Sequence, residues 1–295
     1  MDNLLLAKVT STLGYFYNVY GQLDLAEKYL KKSLDILLNL PEHNQTHELA
    51  RVYSNMGVLY LAWGDFKNSR ASFEKAFDIR KKLFGMKNIQ TAISLNNFGI
   101  YYCALGDSSK SIYFFKLALN IRKGFVGFYH PAVARTLSCL GYAFLSLNQT
   151  KKAKSCFLKV KKIRKKCYGN NHPESAKVLS NFGVLAIKEP DLEKALQYFL
   201  QALAIREKTY RPFHPNLVLN YYYLAKVQLM LGNPKQTSVF LNKSAEAFHE
   251  LYGFDNNRLL KLNKTTEEDI LKNGPQIIAT YKTMFYPLFY TEALH

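Results

Sequence analysis

Between residues 108 and 173 the chain has no aspartate or glutamate, although it is 295 residues long and carries 22 of them elsewhere. Other scarcities narrow what it can be. There are four cysteines, Cys103, Cys139, Cys156 and Cys167, and their spacing matches no metal-ligand pattern. They read as buried, reduced thiols, the usual state of free cysteine. A disulfide framework is not expected in a chain of this length whose Met1-Asp2-Asn3 start shows no export signal. No apolar run approaches the roughly 18 to 20 residues that span a bilayer, so a soluble, cytoplasmic protein is expected. A glycine-rich phosphate loop, His-Glu-x-x-His, paired CxxC and a nucleophile elbow are all missing. The sequence therefore offers no catalytic residue, no metal site and no cofactor.

What is there is a period. Gly14, Gly57, Gly99, Gly141 and Gly183, with Ala225 sixth, follow one another at 43 and then 42 residues. Three further columns keep the same register. They are the turn-formers Gly21, Gly64, Gly106, Asn148, Pro190 and Gly232, the small residues Ala26, Ser69, Ser111, Ala153, Ala195 and Thr237, and the large apolar Leu30, Phe73, Phe115, Phe157, Phe199 and Leu241. A fixed period of this length signals stacked repeats. Within a block, Tyr53, Met56, Gly57 and Tyr60 recur at helical spacing. A turn follows, then a second amphipathic run such as Ala195, Phe199 and Ala202. Each block thus reads as helix, turn, helix, with small residues allowing close approach of the pair. His130-Pro131, His172-Pro173 and His214-Pro215 stand where a first helix begins, and proline suits that opening turn. These histidines could tempt a metal reading. They lie in different repeats, about 8–10 Å apart by helix packing, so helix-start residues are the better account.

The order of Leu or aromatic, Leu or Phe, Gly, Tyr, then Ala and Phe resembles the tetratricopeptide repeat. The longer period, the His-Pro step and the Ile-Arg that closes second helices (Ile79-Arg80, Ile121-Arg122, Ile163-Arg164, Ile205-Arg206) are similar to the kinesin light chain variety. The resemblance covers residues 4–253 and implies an all-α, tetratricopeptide-type helical solenoid of six helix-turn-helix repeats. Their expected bounds are 4–46, 47–88, 89–130, 131–172, 173–214 and 215–253. Beyond them, 254–264 reads as a polar loop. Thr265-Thr266-Glu267-Glu268 reads as a capping box opening a short helix to Leu271, and Gln276–Phe289 as a second apolar segment. Together 254–295 is expected to supply C-terminal capping helices.

The resemblance also implies a site: a concave groove lined by first helices. Two residues before the marker stand Asn55, Asn97 and Asn181, where the resembling families hold a bound peptide backbone through an asparagine amide. Such an amide both donates and accepts. Thr12, Cys139 and Tyr223 interrupt the column. Six residues before the marker, Lys8, Arg51, Arg135 and Lys177 are cationic, and Tyr142 follows a marker glycine. Arg51, Asn55, Asn97, Arg135, Tyr142, Lys177 and Asn181 are therefore expected to bind an acidic or extended peptide of a protein partner. The chain reads as a non-catalytic adaptor.

Charge supplies the competing reading. The formal net charge is +18, and fourteen lysines and arginines fall between residues 108 and 173. Lys151, Lys152, Lys154, Lys162, Lys165 and Lys166 crowd one second helix. Lys161 even occupies a column filled elsewhere by Leu34, Phe77, Leu119 and Leu203, so its stem is expected to run over apolar surface. A belt of this kind on repeats three and four attracts nucleic acid or anionic lipid, or it is simply a solvated face. It lacks the aromatic interleaving that stacks exposed bases.

Overall fold

A computed structural model describes residues 3–40, 46–252 and 265–284. Among them are thirteen α-helices and no strand. First and second helices alternate: α1 (Asn3–Val19) and α2 (Leu23–Leu38), α3 (His47–Ala62) and α4 (Phe66–Phe84), α5 (Ile89–Ala104) and α6 (Ser108–Val126), α7 (Pro131–Ser146) and α8 (Thr150–Tyr168), α9 (Pro173–Lys188) and α10 (Leu192–Thr209), α11 (Pro215–Met230) and α12 (Pro234–Tyr252), with α13 (Glu267–Met284) last. The chain forms two compact units, Met1–Ala143 and Phe144–Ala293, divided within α7.

The marker glycines do steric work. A β-carbon at Gly57 would lie 2.5 Å from the Phe73 ring, and one at Gly183 would lie 2.6 Å from the Phe199 ring. Both rings are wholly buried, so each helix pair closes only because the side chain is missing. Five of the six turn residues, all but Pro190, take a left-handed backbone: φ is 76° at Gly64 and 55° at Asn148, the one described non-glycine residue with positive φ. Asp65, Asp107 and Asp191 then cap α4, α6 and α10 by accepting from the amides of Asn68, Lys110 and Lys194. The recurrent histidines are caps too. Nδ1 of His130, His172 and His214 accepts from the amides of Ala132, Glu174 and Asn216, each at 3.1 Å.

Successive repeats join through a regular seam. In the first unit, Phe73 and Phe77 of α4 meet Phe98 of α5 edge to face, with centroids 6.3 and 5.9 Å apart. In the second, Phe157 meets Phe182 and Phe199 stacks on Tyr223. Lys161 is exposed, and its ammonium lies 6.0 Å from the Phe182 centroid. It thus covers the apolar ring that its column faces.

The C-terminal element differs from expectation. The capping box sits one residue later: Thr266 accepts from the Asp269 amide at 3.2 Å, and Asp269 Oδ2 accepts from the Thr266 amide at 2.8 Å. A shorter aspartate closes the box where Glu268 was expected. The helical run from Glu267 breaks two residues beyond Leu271, at Asn273, whose φ of −138° and ψ of 23° are not helical. A second helical stretch, with Pro275 near its start, continues to Met284, as expected where proline cannot continue the preceding hydrogen-bond ladder. Ile270 and Ile278 bury themselves against the α11–α12 core of Tyr222, Leu241, Ala245 and Phe248. The loop expected at 254–264 and the end of the segment expected to reach Phe289 lie outside the described residues.

None of the four cysteines is in a disulfide. Cys139 and Cys156 are buried and Cys103 is half-buried, but Cys167 is exposed, which corrects the expectation that all four are interior. It occupies the outer face of the last turn of α8, beside exposed Lys165 and Lys166.

Candidate functional site

The expected peptide-binding residues fall on first helices of both units. In the first unit, Arg51 and Asn55 lie on α3, Asn97 on α5, and Arg135 and Tyr142 on α7. Lys177 and Asn181 lie on α9 of the second unit.

Within the first unit the chemistry is unequal along the column. Arg51 is engaged: Nε pairs with Glu48 Oε2 at 2.8 Å, and its Nη atoms donate to Thr12 Oγ1 and the Lys8 carbonyl. Asn55 donates to Ser11 Oγ at 3.4 Å. These two side chains tie α3 to α1. Asn97 differs. It is 6% exposed, and its amide has no hydrogen-bond partner among the described residues. Arg135 and Tyr142 are half-buried on the next first helix. In the second unit Lys177 Nζ pairs with Glu174 Oε1 at 2.8 Å, and Asn181 is 4% exposed.

A glutamate three residues earlier therefore neutralises Arg51 and Lys177, whereas Ala132 holds that place before Arg135. This pairing was readable in the sequence as a glutamate–cation step of three.

A second set of cations was not anticipated as part of the interior. Arg80, Arg122, Arg164 and Arg206, the arginines that close second helices, are 2%, 4%, 6% and 1% exposed. Arg80 Nη1 donates to Ser54 of its own repeat and Ser94 of the next, both at 2.8 Å. Arg122 Nη1 donates to Asn96, to Thr136 and to the Ala132 carbonyl. Arg164 pairs with Glu174, and Arg206 donates to Asn220. Arg80 and Arg122 thus bond hydroxyl, amide and carbonyl oxygens in place of a carboxylate, so their charge is not cancelled locally. Burial pulls the Arg80 guanidinium down to about 10. Burial first, and then the charge of Arg135, does the same to Arg122. Both remain cationic near neutrality, and Arg122 adds positive potential beside Arg135. The sequence signal was a polar residue, Ser94, Thr136 or Asn220, fourteen positions after the arginine.

The belt lysines are disposed as a surface. Lys151, Lys152, Lys154, Lys162, Lys165 and Lys166 are all exposed on α8. Lys151, Lys154, Ser155, Leu158, Lys159 and Lys162 line an open hollow of about 440 Å³. Leu158 is 52% exposed there, and Glu189 approaches Lys154 at 3.9 Å. Among the described residues no helix is long and apolar enough to cross a membrane.

Comparison with known proteins agrees with this geometry. No curated protein sequence matches the chain. Solved structures do match. BtubC (BKLC) from P. vanneervenii is 19% identical, with a TM-score of 0.61 over 80% of this chain and 94% of that one. A putative kinesin light chain of Podosopora anserina with nearly identical TPR-like repeats is 17% identical, with a TM-score of 0.53 over 70% and 98%. Aspartyl phosphate phosphatase F from Bacillus subtilis is 15% identical, with a TM-score of 0.61 over 100% and 87%. At these identities the likeness is one of fold. The sequence profile described as tetratricopeptide repeat matches residues 5–82, 48–124, 132–206 and 185–250. With that match over most of its length, and with paired helices closed on marker glycines, the chain belongs to the tetratricopeptide repeat family.

Proposed function

We propose that the protein is a non-catalytic interaction scaffold of the cytoplasm, and that the first-helix face of its first unit takes an acidic, extended peptide of a protein partner. The observation that carries this reading is the juxtaposition on α5 and α7: an asparagine amide with no partner among the described residues, Asn97, followed one repeat later by Arg135 close to the buried Arg122. An amide can hold both polarities of a peptide bond, and a guanidinium pairs with a carboxylate in two-pronged fashion. Arg51 and Asn55 extend the face but are already bonded to α1, so they contribute shape more than free donors. Tyr142 supplies a half-buried ring on the same helix as Arg135. Lys177 and Asn181 would serve a separate contact on the second unit.

The test is fluorescence polarisation with labelled acidic and neutral extended peptides against the wild type and an Asn97→Ala/Arg135→Glu variant. We expect the acidic peptide to lose at least tenfold in affinity. Equal binding by the two proteins would refute the assignment.

A second reading rests on the lysine-lined hollow of α8, which suits a polyanion. Salt separates the two. Binding to nucleic acid should weaken by about 0.9 logarithmic units per logarithmic unit of salt for each phosphate neutralised. A peptide held through an amide and an apolar contact should respond far less.

A further inference from the structure

One apolar helix face is left open by the fold. On α1, Leu5, Val9, Leu13 and Phe16 are 55%, 48%, 37% and 49% exposed, and their spacing places them along one stripe. One repeat later the same register is interior. Val9, Leu13 and Phe16 correspond to Val52, Met56 and Leu59 of α3, which are 0%, 6% and 0% exposed. Those three belong to the cluster formed with Leu30 and Leu37 of α2, against which Leu34 also packs. A second helix is therefore what covers this face wherever the array supplies one.

The seam further states what kind of second helix. Where the residue five before the marker is polar, the preceding second helix closes with arginine: Ser94 takes Arg80, Thr136 takes Arg122 and Asn220 takes Arg206. Where that residue is Val52, the preceding helix closes with Leu37. Opposite Val178, Arg164 turns instead to Glu174. The position in α1 is Val9, and Leu5 stands where Glu174 serves Arg164, so the complementary helix must present leucine there, since a buried guanidinium would find no partner. A helix of seventeen residues is about 25 Å long and offers a few hundred Å² at most. That is short of the roughly 800 Å² per partner of a stable dimer, so the face suits a single helix better than a second copy of the chain.

We propose that the exposed face of α1 docks one helix of a protein partner bearing leucines at i, i+4 and i+7, as Leu30, Leu34 and Leu37 are spaced, with no arginine at the last position. The partner continues the array by one helix at the end that α13 does not cover.

The probes are two labelled helical peptides, each stapled on its solvent face: residues 22–39, with the leucine pattern, and residues 65–85, with Phe73, Phe77 and Arg80. Titrated with the whole chain, the first should bind and the second should be at least tenfold weaker. Val9→Asp and Phe16→Asp, made at exposed positions and checked for unchanged melting, should each weaken the first peptide at least tenfold. Val9→Ser should narrow the gap between the two peptides. The proposal fails if the leucine peptide does not bind, if Val9→Asp leaves its binding unchanged, or if both peptides bind alike. It fails equally if sedimentation shows a dimer that Val9→Asp dissociates, because a second copy would then be the occupant.

Discussion

Adding one methyl group at Gly183 would press a β-carbon to 2.6 Å from the ring of Phe199, which is fully buried and stacked on Tyr223. Neither helix can retreat without opening the next seam, so Gly183→Ala should cost about 1–3 kcal/mol as overpacking. The sixth repeat shows the remedy, for it pairs Ala225 with Leu241. Phe199→Leu added to Gly183→Ala should recover part of the loss, and a double-mutant cycle by urea denaturation checks the coupling. His214 gives a pH dependence at the same scale. Burial, then the charges of Arg206 and Lys177, push its imidazole down to about 4, and Tyr210 stacks on it at 3.7 Å. Above pH 6.5 it is neutral folded or unfolded. As pH falls from 6.5 towards 4 the unfolded chain takes up a proton that the folded one refuses, so stability declines across that window. His214→Asn keeps a capping side chain without the titration. Its melting temperature should fall less than that of the wild type between pH 7 and pH 5.

Helix by helix, the repeat columns were legible because each records one steric demand made again in every block. Gly57 and Gly183 must be small where Phe73 and Phe199 pack, and Gly64 and Asn148 must adopt positive φ. Reading failed where one element had a single instance to judge from. In α13 the sequence suggested a box closed by Glu268 and a break at Leu271. Asp269 closes it, because its carboxylate reaches the Thr266 amide, while the break falls two residues later than read, at the non-helical Asn273. The candidate site was half legible for a related reason. The columns located Arg51 and Lys177 but not the glutamates that neutralise them, and they marked Arg80 and Arg122 without revealing that the side chains run inward. A repeat pattern fixes where a side chain starts, whereas its partners depend on neighbours that change from block to block.

Across the whole molecule, stability is expected to be local, since each repeat touches only the next. Ile270 of α13 is 3% exposed and packs into the cluster of Tyr222, Leu241, Ala245 and Phe248. Truncating it by Ile270→Ala should cost about 2–5 kcal/mol. Hydrogen exchange should quicken in α11, α12 and α13 while the amides of α1 to α5 keep wild-type rates. Uniform quickening along the chain would show that the array unfolds as one cooperative body instead.

The arginines that close α4, α6 and α10 have a last consequence. Each finds an oxygen in the block that natively comes after it, so the six blocks are not interchangeable bricks. Moving the block of α3 and α4 ahead of the one that begins with α1 would set Arg80 against Val9 in place of Ser94, with Leu5 where Glu174 serves Arg164. Gene rearrangements that shuffle such units are thereby penalised, and linear order is written into the interior as firmly as fold.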